Sequence, residues 1–181
     1  MKTKNLIERL SLFLLALVLT MPTWAQGGSG NESETITIAS KEDWKAFCDR
    51  VNKGQTTLNA KLTKDVDLGE EIVMAGTKDL YSPGYNNYFY YTGTFDGQGH
   101  TLSFSWDAGS RDDIAPFKYV KDATIKNLRT QGKITTKGDG LSGMVYAAFG
   151  TTTLTGCISD VDITGGTVVG MHPMPRAWLK L

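Results

Sequence analysis

Apolar and polar residues alternate along most of this chain in short bursts, each ended by Gly, Asp or Asn. Alternation over a few residues marks a half-buried strand, so the pattern predicts many short strands, beginning with Thr35-Ile-Thr-Ile38. One stretch breaks the rhythm. Trp44, Phe47, Cys48 and Val51 fall at i, i+3, i+4 and i+7, a single stripe on a helix. Ser40 precedes it as an N-cap, Asp43 completes a variant capping box, and Gly54 supplies the stop. A helix so short must lay its stripe on something, and shielding the open end of a stacked sheet fits that need. Beyond it, Leu58, Leu62, Val66, Leu68, Ile72 and Val73 are spaced as short strands, and after the turn pair Asp96-Gly97, Leu102 and Phe104 share one face.

One segment occurs twice. Thr124-Ile-Lys-Asn-Leu-Arg-Thr-Gln-Gly-Lys-Ile-Thr135 returns 29 positions later as Thr153-Leu-Thr-Gly-Cys-Ile-Ser-Asp-Val-Asp-Ile-Thr164. Laid on each other, Ile125 meets Leu154, Leu128 meets Cys157 and Ile134 meets Ile163. Arg129/Ile158 and Gly132/Val161 interrupt the match, and Lys133/Asp162 reverses a charge. A fixed period in the range of about 20–50 residues signals one unit stacked on the next. At typical strand and loop lengths of about five residues, this period holds three short strands and three turns, one coil of a β-solenoid. The coils are expected over residues 58–170, with a strand and capping helix over 36–57.

The termini change the picture at both ends. Lys2, Lys4 and Arg9 precede a short apolar run, Leu10 to Met21, and Thr23-Trp-Ala25 suits a signal peptidase, so residues 1–25 read as a signal peptide cleaved before Gln26. A spanning helix needs about 20 apolar residues, and Pro22 closes this run early, so no transmembrane segment is expected after cleavage. Residues 26–35 form a polar, flexible leader. Residues 171–181, with Pro173 and Pro175, match no repeat and read as a non-repeat tail, as in a truncated chain whose last coil lies open. Missing downstream repeats or a self-partner would cover that end.

The chain after residue 25 carries 16 basic and 18 acidic residues, a balance with no footprint for nucleic acid. Cys48 and Cys157 both sit at apolar positions of their own patterns, which favours buried free thiols over a disulfide or a metal spacing.

Gly93-Thr-Phe-Asp-Gly-Gln-Gly-His-Thr-Leu102, Ala123-Thr-Ile-Lys-Asn-Leu128 and Gly140-Leu-Ser-Gly143 together resemble the secreted bacterial proteins with GLUG-type repeats. Trp44…Phe47…Val51-Asn52…Gly54 and Leu62…Asp65-Val-Asp-Leu68 resemble the segment that precedes such repeats. The likeness spans Ile36 to about Gly170. It implies a right-handed parallel β-helix of the pectin-lyase-like class and an exported, surface-associated protein with an adhesin-like role. The fold expected here is therefore all-β, a short right-handed parallel β-helix of three to four coils behind an N-terminal capping helix.

Few residues point to chemistry. Gly138-Asp-Gly-Leu-Ser-Gly143 spells a dinucleotide fingerprint, but a helix must follow to hold the pyrophosphate, and turns between strands suit this segment better. Asp65-Val-Asp-Leu-Gly-Glu-Glu71 fails the EF-hand spacing and reads as turn and strand-edge carboxylates. No cofactor and no metal are implied. Arg111, Asp112 and Asp113 are weak catalytic candidates, adjacent in a loop where solvated carboxylates are the plainer reading. The aromatic insertion between Gly76 and Thr92 is the better hint, since tyrosines offer flat apolar faces with a polar tip. Tyr81, Tyr85, Tyr88, Tyr90 and Tyr91, with Trp106, are the candidate ligand-binding residues. Two functions follow: a surface module binding a glycan or protein without catalysis, or a polysaccharide lyase or hydrolase on the same scaffold. A truncated, inactive remnant is the third.

Overall fold

Each alternating burst becomes a strand, and the helical stripe becomes a helix. The computed structural model describes residues 34–78, 88–166 and 172–173, the last two by their backbone alone. All lie in one unit, Ser33–Leu181. The expected signal peptide lies outside the described residues. In chain order the elements are β1 (Thr35–Ile38), α1 (Lys41–Asn52), β2 (Asn59–Leu62), β3 (Val66–Asp67), β4 (Thr77–Lys78), β5 (Tyr88–Phe89), β6 (Thr94–Asp96) and β7 (Thr101–Asp107). Then come β8 (Phe117–Lys121), β9 (Thr124–Lys126), β10 (Arg129–Thr136), β11 (Val145–Phe149), β12 (Thr153–Thr155), β13 (Ile158–Gly165) and β14 (His172–Pro173).

Three sheets take up most of the strands. Sheet A runs β1-β2-β6-β9-β12, sheet B runs β3-β7-β10-β13, and sheet C runs β8-β11-β14. Every pairing within these three sheets is parallel. From β6 onward the chain visits A, then B, then C, and returns to A one strand further on, so each of these circuits adds one strand to each sheet. The register of the last two described circuits is the sequence repeat itself: Ile125 pairs with Leu154, Arg129 with Ile158 and Ile134 with Ile163. Sheet A starts earlier than Leu58, because β1 pairs residue for residue with β2. At the other end His172 and Pro173 pair with Ala147 and Ala148.

Inward-facing residues form columns through the stack. Ala60, Phe95, Ile125 and Leu154 make one in sheet A; Trp106, Ile134 and Ile163 make another in sheet B. Phe95, Ile125 and Ile134 are fully buried, each adding roughly 1.5–3 kcal/mol. Arg129/Ile158 and Lys133/Asp162 break the repeat because they lie on the exposed outer face of sheet B, where packing places no demand.

The helix forms as its sequence dictates. The Ser40 Oγ accepts the Asp43 N–H at 3.1 Å, and the Asp43 carboxylate accepts the Ala39 N–H at 3.0 Å. Trp44, Phe47, Cys48 and Val51 are completely buried. The Trp44 ring meets Phe95 of sheet A and Phe117 of sheet C edge-on, at 5.9 and 5.5 Å between centroids. Its indole N–H donates to the Val73 carbonyl at 3.0 Å. One apolar stripe thus packs on two sheets at once.

The corners are built for sharp turns. Asn127 and Asp122 adopt φ of 50° and 51°, a conformation these two side chains tolerate better than most. Gly138 and Gly140 belong to the link from β10 to β11, and a strand rather than a helix follows them, as the turn reading requires.

Candidate ligand-binding face

The aromatic insertion leaves the stack and comes back to almost the same place. Ala75 pairs with Phe117, and Tyr91 pairs with Val120. The insertion therefore leaves and rejoins the stack on either side of Lys118 and Tyr119 of the neighbouring strand. The exit is Gly76, with φ of 86°, where a Cβ would collide with the Tyr119 carbonyl. From there β4 and β5 pair antiparallel, Thr77 with Phe89 and Lys78 with Tyr88. Strand alternation then divides the side chains. Phe89 lies against Gly54 beyond the helix end, while Tyr88 and Tyr90 take the other side.

There they meet rings supplied by sheet C. Tyr88 and Tyr90 stack at 5.4 Å, and Tyr88 meets Tyr119 edge-on at 5.0 Å. Tyr90 meets Phe149 at 5.0 Å, and Tyr119 meets Tyr146 at 6.0 Å. Tyr119 belongs to β8, Tyr146 and Phe149 to β11, so successive strands of sheet C carry the cluster forward from the hairpin. Apart from Tyr119, these rings are half-buried.

Asp113 is the polar centre. Its Oδ2 accepts the Tyr119 hydroxyl at 2.9 Å and lies 3.7 Å from the Lys118 ammonium. The Tyr146 ring and this carboxylate both close on Gly140. Burial, reinforced by that carboxylate, pushes the Tyr146 phenol up to about 12 and holds the Tyr119 phenol well above its ordinary range. The Tyr119 hydroxyl stays protonated and donates to Asp113 at any ordinary pH. The Lys118 ammonium also stands 5.3 Å from the Tyr119 ring centroid, and Lys78 stands 5.9 Å from that of Tyr88.

Of the residues singled out from the sequence, Tyr88 and Tyr90 lie in this cluster. Tyr81 and Tyr85 lie outside the described residues. Tyr91 and Trp106 are corrected as ligand-binding residues: they are 0% and 1% exposed and belong to the core. Tyr91 packs on Phe47 and Phe117, and Trp106 stacks on Phe104 at 4.2 Å. Alternation explains both, because each occupies an inward position of its row. Arg111 and Asp112 do not join Asp113 in an acid–base set. Asp112 accepts the Asp139 N–H at 2.7 Å, holding successive loops together, and the Arg111 guanidinium donates to the Ala108 carbonyl at 3.4 Å. Sequence reasoning passed over Lys118, Tyr119, Tyr146 and Phe149. No local signal marks them: Lys118-Tyr119 and Tyr146 come to one level because Phe117 pairs with Val145 across sheet C.

The remaining features fall elsewhere. Asp65 and Asp67 accept the Thr101 and Gly69 N–H groups, and Glu71 pairs with Lys41 and Lys45, so these carboxylates are turn and strand-edge groups. Both cysteines are free, Cys48 buried and Cys157 half-buried. On sheet B, a groove of about 530 Å³ is lined by Glu70, Asp107 and Lys133 with Ser105 and Thr135. Among the described residues no helix is long and apolar enough to cross a membrane.

Fold and site together define an all-β protein of mainly parallel sheets, with one helix among the described residues and a tyrosine-rich face on sheet C. Comparisons with models of known families, with curated proteins and with solved structures found no match.

Proposed function

We propose that this chain is an exported, surface-associated interaction module that binds its ligand through the tyrosine face without catalysis. The observation that carries the reading is the cluster itself: Tyr88, Tyr90, Tyr146 and Phe149 lie half-exposed in one patch, where ordinary packing would have turned them inward. Exposed aromatic surface rimmed by polar groups is typical of recognition sites. The winding that suits this role is a right-handed parallel β-helix, since parallel crossovers in one sheet are right-handed in about 98% of cases. The resemblance to GLUG-type-repeat proteins and the signal-type residues 1–25 support export. The test is a panel of glycans and cell-surface proteins against the purified chain. Tyr90→Ala and Tyr146→Ala are expected to weaken binding at least tenfold, roughly 1.4 kcal/mol, while circular dichroism stays unchanged. Unchanged affinity in both variants refutes the assignment of the face.

A second reading, a lyase or hydrolase, draws on the sheet B groove, because Glu70, Asp107 and Lys133 bring carboxylates and an amine to one cleft. Its test is depolymerisation of neutral and acidic polysaccharides. Activity that Asp107→Asn or Glu70→Gln abolishes, with Tyr90→Ala harmless, supports this alternative.

A further inference from the structure

The hydrogen bonds inside the tyrosine face specify what it can accept. This step rests on the reading of that face as the binding surface. The Tyr119 hydroxyl spends its single proton on Asp113. A phenol has one proton and two lone pairs, and a carboxylate has about four lone-pair sites, so what is left at the centre is acceptor capacity. A ligand hydroxyl can donate to that carboxylate and accept from the Lys118 ammonium beside it.

Charge narrows the class. A cationic ligand would meet the Lys118 and Lys78 ammonium groups already poised near the Tyr119 and Tyr88 rings. An anionic ligand would have to compete with the Asp113 carboxylate for the Lys118 ammonium, 3.7 Å away. The donors that remain are uncharged hydroxyls. Tyr88 and Tyr90, both half-buried, offer ring faces on the same side of the hairpin, as stacking on a sugar requires.

We infer that the tyrosine face binds a neutral, hydroxyl-rich glycan chain, with the Asp113 carboxylate accepting a sugar hydroxyl and setting specificity. Asp113 adopts φ of 59°, a conformation that Asn tolerates equally, so Asp113→Asn removes charge and acceptor capacity without straining the loop.

The experiment is calorimetric titration of the purified full chain with neutral hexasaccharides (glucan, mannan and xylan), with oligouronates and with choline. The expected result is that at least one neutral hexasaccharide binds more tightly than the oligouronates and choline. Asp113→Asn is then expected to weaken it about tenfold or more, as loss of a charge-assisted hydrogen bond requires. Tyr119→Phe, which releases a carboxylate lone pair, is expected to retain or raise affinity. If oligouronates or choline bind more tightly, if neutral binding ignores Asp113→Asn, or if no neutral hexasaccharide binds at millimolar concentration, the inference is overturned. Where a charged or protein ligand still depends on Tyr90, the face keeps its role and this inference alone fails. Should Asp113→Asn fail to fold, Tyr119→Phe decides: a tenfold loss there overturns the inference.

Discussion

At the residue scale, single atoms decide what is possible. Gly132 lies in the inward column between Phe104 and Val161, with φ of 131°. A Cβ there would collide with the Phe104 carbonyl, a backbone atom that has nowhere to go. Gly132→Ala is therefore expected to lower stability by more than about 1 kcal/mol, since the strained conformation and the clash act together. A chemical denaturation midpoint equal to that of the parent would refute this. This break in the repeat was visible in the sequence, but its cause was not. A glycine in an apolar column is ambiguous until the backbone of the neighbouring strand is known. Tyr91 and Trp106 were misread for a related reason: an aromatic residue looks alike in sequence whether its row points in or out.

At the element scale, α1 was legible nearly whole, because its stripe, cap and stop are all local signals. Ser40→Ala removes the acceptor for the Asp43 N–H and is expected to cost about 1 kcal/mol, seen as a fall of a few degrees in Tm. The Asp43 carboxyl is held below its ordinary value of 3.8, first by the Ala39 N–H and then by Ser40. A depressed carboxyl adds stability that is fully present above that value and is lost as pH falls through the lower, folded one. Asp43→Asn is accordingly expected to be less stable than the parent at neutral pH and to lose less on acidification below pH 3.8. Equal losses in the two proteins would remove Asp43 from the acid transition. Trp44→Ala empties the contact with Phe95 and Phe117, and a loss of about 3–5 kcal/mol is expected by denaturant titration. The tyrosine cluster was only half legible. Tyr88 and Tyr90 announced themselves as a run, whereas Tyr119 and Tyr146 become neighbours through sheet C and carry no local mark.

At the scale of the whole molecule, the repeat could be read only where the circuits are equal. From β9 to β12 and from β10 to β13 the register advances by 29 residues in both sheets. One circuit earlier it advances by 30 in sheet A and 28 in sheet B, so no single overlay exists. Earlier still, the hairpin stretches the advance from Ala60 to Phe95 to 35. A stack whose units touch only their neighbours opens from its least-covered layers inward. Amides of β10, flanked by β7 and β13, are expected to exchange more slowly than those of β13, for which β10 is the partner strand among the described residues. Similar rates along both strands, measured by hydrogen–deuterium exchange, would mean the stack opens as one unit. The hairpin that lengthens that first circuit breaks no inter-circuit pairing, since Ala75 and Tyr91 rejoin β8 three residues apart. Its sequence is therefore free to change without cost to the frame beneath it. Selection could exchange one set of rings for another at that point, so that proteins sharing this scaffold would diverge in what they bind long before they diverged in how they fold.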